Sequence, residues 1–310
     1  MSTVKRVTLN DVAAASGVSR ATVSFVLNDD PKQTISGATR DRVRQAASDL
    51  GYVPHGLARA LREGTSRIVV LNLDRGLEGN YCRSYLRGLD EELAAHDYAL
   101  FVRHPTEGGR SQQQVLDAIA PRAVLTFGQV YLAGHPLDDQ GGGWDDGMAA
   151  HVALQVGHLV DRGHTNIAMA LPAADNPVVR VRLQFVREVL DRRSLPGPVT
   201  LTLPRTRQEG PPVVRDFMAD HPEVTAVAAF DDDVALRMLA ALHDLGVAVP
   251  DDLAVIGYDD TEYGGLVTPS LTTVHINAEV HGRRAARTAL GLDAADLVAA
   301  PARVIVRESA

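Results

Sequence analysis

A short run of polar side chains after a predicted tight turn could bind the edges and backbone of a nucleic acid. Ser19 is predicted to cap a helix, and the polar residues that come next in the sequence lie on the first turns of that helix. Arg20 could donate to O6 and N7 of a guanine, and Ala21 could contact a thymine methyl group. Hydroxyl and amide groups suit phosphate oxygens, which position a protein on DNA without specifying sequence. The candidates for phosphate contact are Thr8, Ser19, Thr22 and Asn28, and the candidates on the first turns of the helix are Ser19, Arg20, Ala21, Thr22 and Ser24.

A second set of candidate residues consists of side chains near the ends of predicted β-strands. Ligands of open α/β sheets bind beyond the carboxyl ends of the strands, so these positions are natural contacts for a small molecule. Carboxylates and a guanidinium bond vicinal hydroxyl groups in pairs, and an aromatic ring can cover the C–H face of a sugar. The candidates are Asp74, Asp146, Arg182, Asp231 and Asp259, with Tyr81 and Trp144 as ring-stacking partners.

Three consecutive carboxylates, residues 231–233, also fit a simpler interpretation. Acidic side chains are favoured at a solvated helix N-terminus because of the helix dipole. We apply this interpretation to Asp232 and Asp233, and we predict ligand contact for Asp231 and Asp259.

Metal and catalytic sites are not expected. His151 and His158 share a predicted helix face and His164 follows shortly after, but no cysteine or carboxylate stands at a suitable spacing for a metal site. No glycine-rich strand–helix turn could hold a nucleotide, and no serine or cysteine lies in a nucleophile elbow. The sequence therefore predicts neither an enzyme nor a cofactor.

Three short predicted helices would position the candidate nucleic-acid contacts. Thr8 lies where an N-cap belongs, with Asp11 at the third helical position and Val7 able to pack on Val12. Ser19 repeats the capping signal, and Gly17 between the two helices supplies the backbone freedom of a tight turn. This pattern predicts a helix-turn-helix, whose second helix enters the major groove of DNA. A third helix is predicted to begin near Ser36 and end at Gly51, with four buried residues, Val43, Ala46, Ala47 and Leu50.

From residue 67 onward, apolar runs alternate with helical patterns, which is typical of a parallel α/β fold. The predicted strands are 68–73, 98–102, 123–127, 166–171, 199–203, 226–230 and 253–257. The predicted helices are 81–96, 111–119, 147–162, 180–191, 213–221 and 234–245.

The motifs T-L-N-D-V-A, G-V-S, T-V-S, V-L-N, T-R-D-R-V and L-G-Y-V-P resemble the lactose-repressor (LacI/GalR) family of bacterial regulators. Further matches are L-V-D-R-G-H-T-N-I-A at 159–168, F-D-D-D-V-A-L at 230–236, V-I-G-Y-D-D at 255–260 and P-S-L-T-T-V at 269–274. The resemblance implies an effector domain of the periplasmic-binding-protein type, with two Rossmann-like lobes, crossing strands and a cleft. It also implies that Arg182, Asp231 and Asp259 contact an effector or hold the hinge strands.

Residues 52–64 match the hinge of this family. The resemblance implies a helix that folds when two copies pair over bent DNA, with Leu61 wedged into the minor groove. Ala58 would let the paired hinge helices approach, Arg59 would lie near phosphates, and His55 replaces the usual asparagine before this helix.

The chain departs from the family pattern at three further points. Phe25 occupies a position where many relatives have a base-reading arginine, so its ring must contact a thymine methyl group or pack against its own domain. Asp231 replaces the usual asparagine. Between Phe127 and Asp146 the chain is too short for a parallel crossover, which predicts a first lobe that has lost a strand or pairs it differently.

The resulting domain prediction has three parts: a helix-turn-helix domain at 1–53, a hinge at 54–66, and an effector-binding and dimerisation domain at 67–310. The first lobe comprises about 67–157 and 275–292, and the second comprises about 158–274 and 293–310. The helix at 81–96 is expected in the main dimer interface. No heptad tail follows Ala310, so a coiled-coil tetramer is not expected.

Composition agrees with a DNA-binding regulator. Residues 1–65 hold nine Lys and Arg against six Asp and Glu, net +3, whereas the rest of the 310 residues hold 22 against 33, net −11. A basic head on an acidic body directs the head toward the phosphate backbone. The single cysteine, Cys82, suits a reducing cytoplasm, and neither a signal peptide nor a membrane span is recognisable. The protein is expected in the cytoplasm, associated with the nucleoid.

The main functional hypothesis is a transcription regulator, a repressor, that binds a palindromic operator as a homodimer. A sugar or sugar derivative in the interlobe cleft would modulate it. A solute-binding protein of a transporter is the first alternative, because the lobes alone would allow it, although the head and hinge argue against it. The second is a family member that has lost small-molecule control.

Overall fold

The computed structural model describes residues 7–27, 34–52, 66–73, 79–104, 110–128, 147–173 and 177–310. The chain divides into two compact units, Met1–Ser66 and Arg67–Ala310. The predicted fold class, a helix-turn-helix head and an α/β body with parallel sheets, is confirmed. Among the described residues, no helix has the length and apolar character that a membrane crossing requires.

The head consists of α1 (Leu9–Ser16), α2 (Arg20–Leu27) and α3 (Gly37–Asp49). Its small apolar core is formed by Val12, Val23, Val26, Val43 and Ala47, each at most 7% exposed.

The predicted turn and cap signals of the head are confirmed, but two of the four residues predicted to be buried in its third helix are not, since Ala46 is half-buried and Leu50 is exposed. Gly17 ends α1 in the left-handed region, at φ 67°, where a side chain would be strained. Ser36 caps α3 as predicted, by accepting a hydrogen bond from the backbone N–H of Thr39. Leu50 was predicted to be buried, but it is 38% exposed because α3 ends at Asp49 and Leu50 lies beyond its last turn.

The first lobe of the body is built on a parallel sheet of order β2-β1-β3 among the described residues. The buried residues Val69 and Leu71 of the central strand pack with two leucines of α4, Leu89 and Leu93. The missing crossover was predicted for residues 128–145, of which 129–145 lie outside the described part of the chain. The elements are β1 (Ile68–Asn72), α4 (Asn80–Ala95), β2 (Ala99–Arg103), α5 (Arg110–Ile119) and β3 (Ala123–Thr126).

The second lobe holds a four-stranded parallel sheet of order β5-β4-β6-β7. Its central strand β6 is completely buried, which a parallel sheet covered by helices on both faces requires. Most elements lie within two residues of their predicted bounds, but α7 and α8 each begin three residues earlier than predicted. The elements are α6 (Met148–Asp161), β4 (Ile167–Pro172), α7 (Pro177–Arg192), β5 (Val199–Leu203), α8 (Gly210–Asp220), β6 (Ala226–Ala229), α9 (Asp232–Leu245) and β7 (Ala254–Ile256).

The chain then crosses between the lobes twice. Strands β8 (Thr273–His275) and β9 (Arg303–Ile305) are antiparallel, and α10 (Ala278–Leu290) between them packs on α4 of the first lobe. Beyond β9 the chain returns to the second lobe, where the backbone N–H of Val255 donates to the carbonyl oxygen of Ser309.

Helices α4 and α10 approach so closely that two glycines are needed. A Cβ added at Gly88 would lie 1.9 Å from the carbonyl oxygen of Glu279, and one at Gly282 would lie 2.0 Å from that of Tyr85. An ion pair also joins the helices, because Arg287 Nε donates to the buried Glu92 at 2.6 Å and thereby lowers the pKa of that carboxyl.

Candidate nucleic-acid interface and ligand site

The first turn of α2 presents its polar groups as the sequence predicts. Ser19 Oγ accepts a hydrogen bond from the backbone N–H of Thr22 at 3.0 Å, and the two hydroxyls lie 2.9 Å apart. Arg20 and Ala21 are exposed, next to this cap. A helix N-terminus that presents exposed hydroxyls and a guanidinium has the donors needed for phosphates and for a guanine edge.

The other head residues have more varied surroundings. Thr8 is exposed and donates both its backbone N–H and its hydroxyl to the carboxylate of Asp11, each at 2.7 Å. Ser24 and Phe25 are half-buried, and Phe25 is not among the described side chains that pack on the core of the head. The remaining candidates for DNA contact lie outside the described residues: Asn28, His55, Ala58, Arg59 and Leu61.

Arg182 lies at the centre of the candidate ligand site in the body. It projects from α7, is 2% exposed, and places its guanidinium 3.6 Å from the centroid of the Tyr258 ring and 5.0 Å from that of Phe230. The rings hold the cation by cation–π attraction. Arg182 Nε is buried without a hydrogen-bond partner among the described residues, so the site retains an unsatisfied donor.

Gln155 on α6 orients this arginine, a role that the sequence interpretation missed. Its Oε1 accepts from Arg182 Nη2 at 3.0 Å, while its Nε2 donates to the carbonyl oxygens of Ala229 at 2.8 Å and Gly257 at 3.0 Å. Gln155 is completely buried at the ends of β6 and β7. A signal was present in the sequence, because this amide interrupts the apolar face of α6 that also carries Val152 and Val156.

Two carboxyl groups, those of Asp231 and Asp259, lie close enough to Arg182 for its positive charge to act on their pKa. Asp231 caps α9 by accepting from the backbone N–H of Val234 at 2.8 Å, and burial raises the pKa of its carboxyl. Asp259 is 9% exposed, and burial together with the charges of Asp231 and Asp232 raises its pKa well above the usual value, against the opposing effect of Arg182. The positive charge of Arg182 therefore lies beside two carboxyl groups whose pKa is raised by burial.

Among the carboxylates of the described residues, Asp232 is the one that the sequence interpretation placed wrongly. It was predicted to be solvated at a helix N-terminus, but it is 2% exposed and accepts three hydrogen bonds from the segment after β7 and from β8. The dipole argument fails because tertiary contacts cover the first turn of α9. Asp233, the next residue, is exposed, as that interpretation expects.

The first lobe contacts this site through the N-terminus of α4. Asn80 Nδ2 donates to the carbonyl oxygens of Asp259 at 2.6 Å and Asp260 at 3.1 Å, and the backbone N–H of Tyr81 donates to the Asp259 carboxyl. A Cβ at Gly79 would lie 2.8 Å from Asp259 Oδ2, so the close approach depends on glycine. The carboxyl of Asp259 thus joins the two lobes.

The structure brings together Arg182, Asp231 and Asp259 of the predicted ligand contacts, and Tyr81 reaches them only through its backbone N–H. The ring of Tyr81 lies 6.1 Å from that of Phe127, and its hydroxyl is 2.8 Å from His281 Nδ1 on α10. Residues that the sequence interpretation missed are Asn80, Gln155, Phe230 and Tyr258. The candidates Asp74, Trp144 and Asp146 lie outside the described residues.

Comparison with known proteins shows the family to which this chain belongs. The family model of the bacterial regulatory proteins of the lacI family matches residues 8–55, and that of the periplasmic binding protein-like domain matches residues 156–310. The HTH-type transcriptional regulator CelR of Thermobifida fusca is 30% identical over 319 residues, which cover 91% of each chain. The chain belongs to the lacI family. As a member of this family it is a DNA-binding transcriptional regulator.

One further relative and two solved structures are similar to this LacI-family regulator. The ribose operon repressor of Escherichia coli (strain K12) is 28% identical over 86% of this chain and 87% of its own. The Lac repressor dimer bound to operator and the anti-inducer ONPF has a similar fold, with a TM-score of 0.75, 23% identity, and coverage of 98% and 99% of the two chains. The CelR–cellobiose complex has a TM-score of 0.62 and 24% identity over 98% and 100%.

Proposed function

We propose that this regulator is a repressor that binds a palindromic operator as a homodimer and responds to a sugar or sugar derivative bound between its lobes. The observation that carries the DNA-binding part is the capped N-terminus of α2, which presents Arg20 and Ala21 to solvent within a head that matches the family. The ribose operon repressor and the operator-bound Lac repressor dimer are named for the same kind of activity.

The dimer is proposed from the match of residues 52–64 to the family hinge. A helix this short is marginal in water by itself and gains stability from a partner. We assign the main dimer interface of the body to a surface that includes α4, and we assign groove contact to the hinge residues Ala58, Arg59 and Leu61. Two-fold symmetry of the protein then requires an inverted repeat in the DNA.

A sugar-like effector is proposed from the chemistry around Arg182. The guanidinium offers a buried unsatisfied donor, and Asp231 and Asp259 offer carboxyl oxygens beside it. Vicinal hydroxyl groups both donate and accept, so they can satisfy the donor and the two acceptors together. Two relatives support this class by name, the ribose operon repressor and the CelR–cellobiose complex.

The site chemistry supports binding more than catalysis. Arg182 and Gln155 are held rigidly by several contacts each, and the proposed ligand would be recognised by non-covalent contacts. We propose that the protein is not an enzyme and that it acts in the cytoplasm, on the nucleoid.

Leu61→Ala is expected to weaken binding to a selected operator roughly tenfold or more while leaving binding to random DNA almost unchanged. An apolar wedge acts only on the bent cognate site, whereas the positive charge of the head acts on any phosphate backbone. Fluorescence anisotropy with both DNA fragments over a range of salt concentrations would measure the two affinities.

The matched control for Leu61→Ala is Leu292→Ala, which removes a 42% exposed leucine in the body and should alter neither affinity. Equal losses on operator and random DNA in Leu61→Ala would show that Leu61 is not a wedge.

A further inference from the structure

The carboxylate of Asp232 accepts three hydrogen bonds, although Asp232 is the first residue of a helix. Its Oδ1 accepts from the backbone N–H of Tyr258 at 2.7 Å and from Thr273 Oγ1 at 2.6 Å, and its Oδ2 accepts from the backbone N–H of Thr261 at 2.6 Å. Its own backbone N–H donates to the carbonyl oxygen of Tyr258 at 3.0 Å. One residue of α9 therefore holds both ends of segment 258–261 and ties them to β8.

The backbone of this segment runs directly against the carboxylate. A Cβ at Gly257 would lie 2.1 Å from Asp232 Oδ1 and 2.9 Å from Leu271 Cδ2, so only glycine fits there. The contact is thus a close fit between a buried carboxylate and a backbone without a side chain. Surface charges on mobile helix ends do not make such contacts.

Segment 257–261 carries the groups that face Arg182. Tyr258 contributes the ring that covers the guanidinium, and Asp259 contributes the carboxyl that reaches the N-terminus of α4. Two non-glycine residues of the segment have positive φ, 109° at Asp259 and 52° at Asp260. Such conformations persist only where surrounding contacts over-determine them.

We propose that Asp232 is the positioning residue of the ligand site: it holds segment 257–261 in the strained shape that places Tyr258 over Arg182 and Asp259 against α4 of the other lobe. The role in ligand binding rests on the proposed function, whereas the role in ordering the segment does not. Asn80 completes the arrangement from the first lobe, because its amide bonds the carbonyl oxygens of the two strained residues.

Burial explains why a positioning role fits Asp232 better than a stabilising one. Burial raises the pKa of its carboxyl to about 6, although the hydrogen bonds from Thr273, Thr261 and Tyr258 oppose that rise. Because the folded protein holds this proton more tightly than the unfolded chain does, the free energy of unfolding falls as the pH rises from the usual pKa of 3.8 to about 6, and it stays lower above that range. The ionised group is therefore unfavourable for stability at neutral pH, while it provides acceptors for three donors at once.

The test is hydrogen exchange, followed by mass spectrometry, on the full-length protein and its Asp232→Asn variant. The amide is similar in size but places an N–H group where a carboxylate oxygen now accepts, so at least one donor loses its partner. We expect the amides of Tyr258 and Thr261 to exchange at least tenfold faster, and the first turn of α4 to exchange faster as well. Exchange in β4 and β6 should stay unchanged.

Asp233→Asn is the matched control, because it removes the same charge from the next residue, which is exposed. It should exchange like the wild type. Thr273→Val keeps the carboxylate and removes two hydrogen bonds of Thr273 Oγ1, the one that it donates to Asp232 Oδ1 and the one that it accepts from the backbone N–H of Asp260 at 3.3 Å. It should therefore accelerate the amides of Tyr258 and Thr261 to a smaller extent than Asp232→Asn does, and it tests the proposal if Asp232→Asn fails to fold. Unchanged exchange at 258–261 in both Asp232→Asn and Thr273→Val would overturn the proposal, as would faster exchange spread evenly over the whole second lobe.

Calorimetry with D-ribose and with cellobiose separates this proposal from the proposed function. For whichever sugar the wild type binds, Asp232→Asn should bind at least tenfold more weakly and Asp233→Asn should bind equally. Equal affinity of Asp232→Asn and the wild type would overturn the positioning role in ligand binding. If the wild type binds neither sugar, that result counts against the proposed effector class, and the exchange measurement still decides whether Asp232 orders the segment.

Discussion

Arg182→Ala is expected to abolish the response of operator binding to a sugar effector while leaving the affinity of the ligand-free protein for operator within about threefold of wild type. The guanidinium of Arg182 is the positive charge that acts on both Asp231 and Asp259, and it keeps an unsatisfied donor for the ligand. A charge-assisted hydrogen bond contributes about 1.5–3 kcal/mol, so its loss alone weakens ligand binding roughly 10- to 100-fold. Removal of the cation also raises the pKa of Asp231 and Asp259 further, which weakens them as acceptors.

The response to ligand can change without a change in DNA affinity because the head and the ligand site use different residues. A ligand shifts DNA binding only by its differential affinity for two states of the body, so a protein that cannot bind it keeps its unliganded affinity. Anisotropy of labelled operator, with and without a sugar that shifts wild-type binding, measures the response. Arg180→Ala, two residues away on the exposed face of α7, is the matched control and should respond like the wild type.

Two results would contradict the proposed effector site. An undiminished ligand response in Arg182→Ala would move the site elsewhere in the body. A wide panel of sugars and sugar derivatives without effect on wild-type operator binding would favour the alternative of a regulator that has lost small-molecule control.

Gly282→Ala is expected to lower the free energy of unfolding by about 3 kcal/mol, near the upper end of what overpacking a core usually costs. The added Cβ would lie 2.0 Å from the carbonyl oxygen of Tyr85 and 2.6 Å from the backbone nitrogen of Leu89. Both are backbone atoms of α4, which cannot rotate away like the end of a flexible side chain. Helices α4 and α10 must therefore separate, and the core that Leu89 shares with Ala286 opens.

Gly157→Ala is the matched control for this prediction, since it makes the same change inside α6. The nearest atom to its Cβ would be Arg193 Nη2, at the end of a flexible side chain 3.9 Å away. Alanine in a helix interior is favoured over glycine by about 0.8–1.0 kcal/mol, so this variant should be slightly more stable than the wild type. Urea unfolding of the three proteins, monitored by circular dichroism, gives both values. A Gly282→Ala variant as stable as Gly157→Ala would show that α4 and α10 do not approach as described.

Local signals explain which elements could be predicted from the sequence. The caps at Thr8, Ser19 and Ser36 and the left-handed Gly17 are set by neighbouring residues, so the three helices of the head were found with little error. The strands of the second lobe are continuous apolar runs, because helices cover both of their faces. Strands β8 and β9 have three residues each and carry no such signal.

The candidate site was predictable only in part because most of it depends on tertiary contacts. The rule that ligands lie beyond strand ends selected Arg182, Asp231 and Asp259, which the structure brings together. The same local reasoning misplaced Asp232, since its partners come from residues 26 to 41 positions away. Asn80 is more distant still, 179 residues from Asp259 in sequence.

Selection of binding sites from random DNA by the full-length protein tests the central claim most directly, with Arg20→Ala selected in parallel. We expect an inverted repeat with a flexible pyrimidine–purine step at its centre, because a symmetric dimer and a kink both require it. Arg20→Ala should relax the preference at one guanine in each half-site, at a cost of about 1–3 kcal/mol. Sites without two-fold symmetry, or base preferences that Arg20→Ala leaves unchanged, would show that the protein does not bind DNA as a symmetric dimer with Arg20 on a guanine.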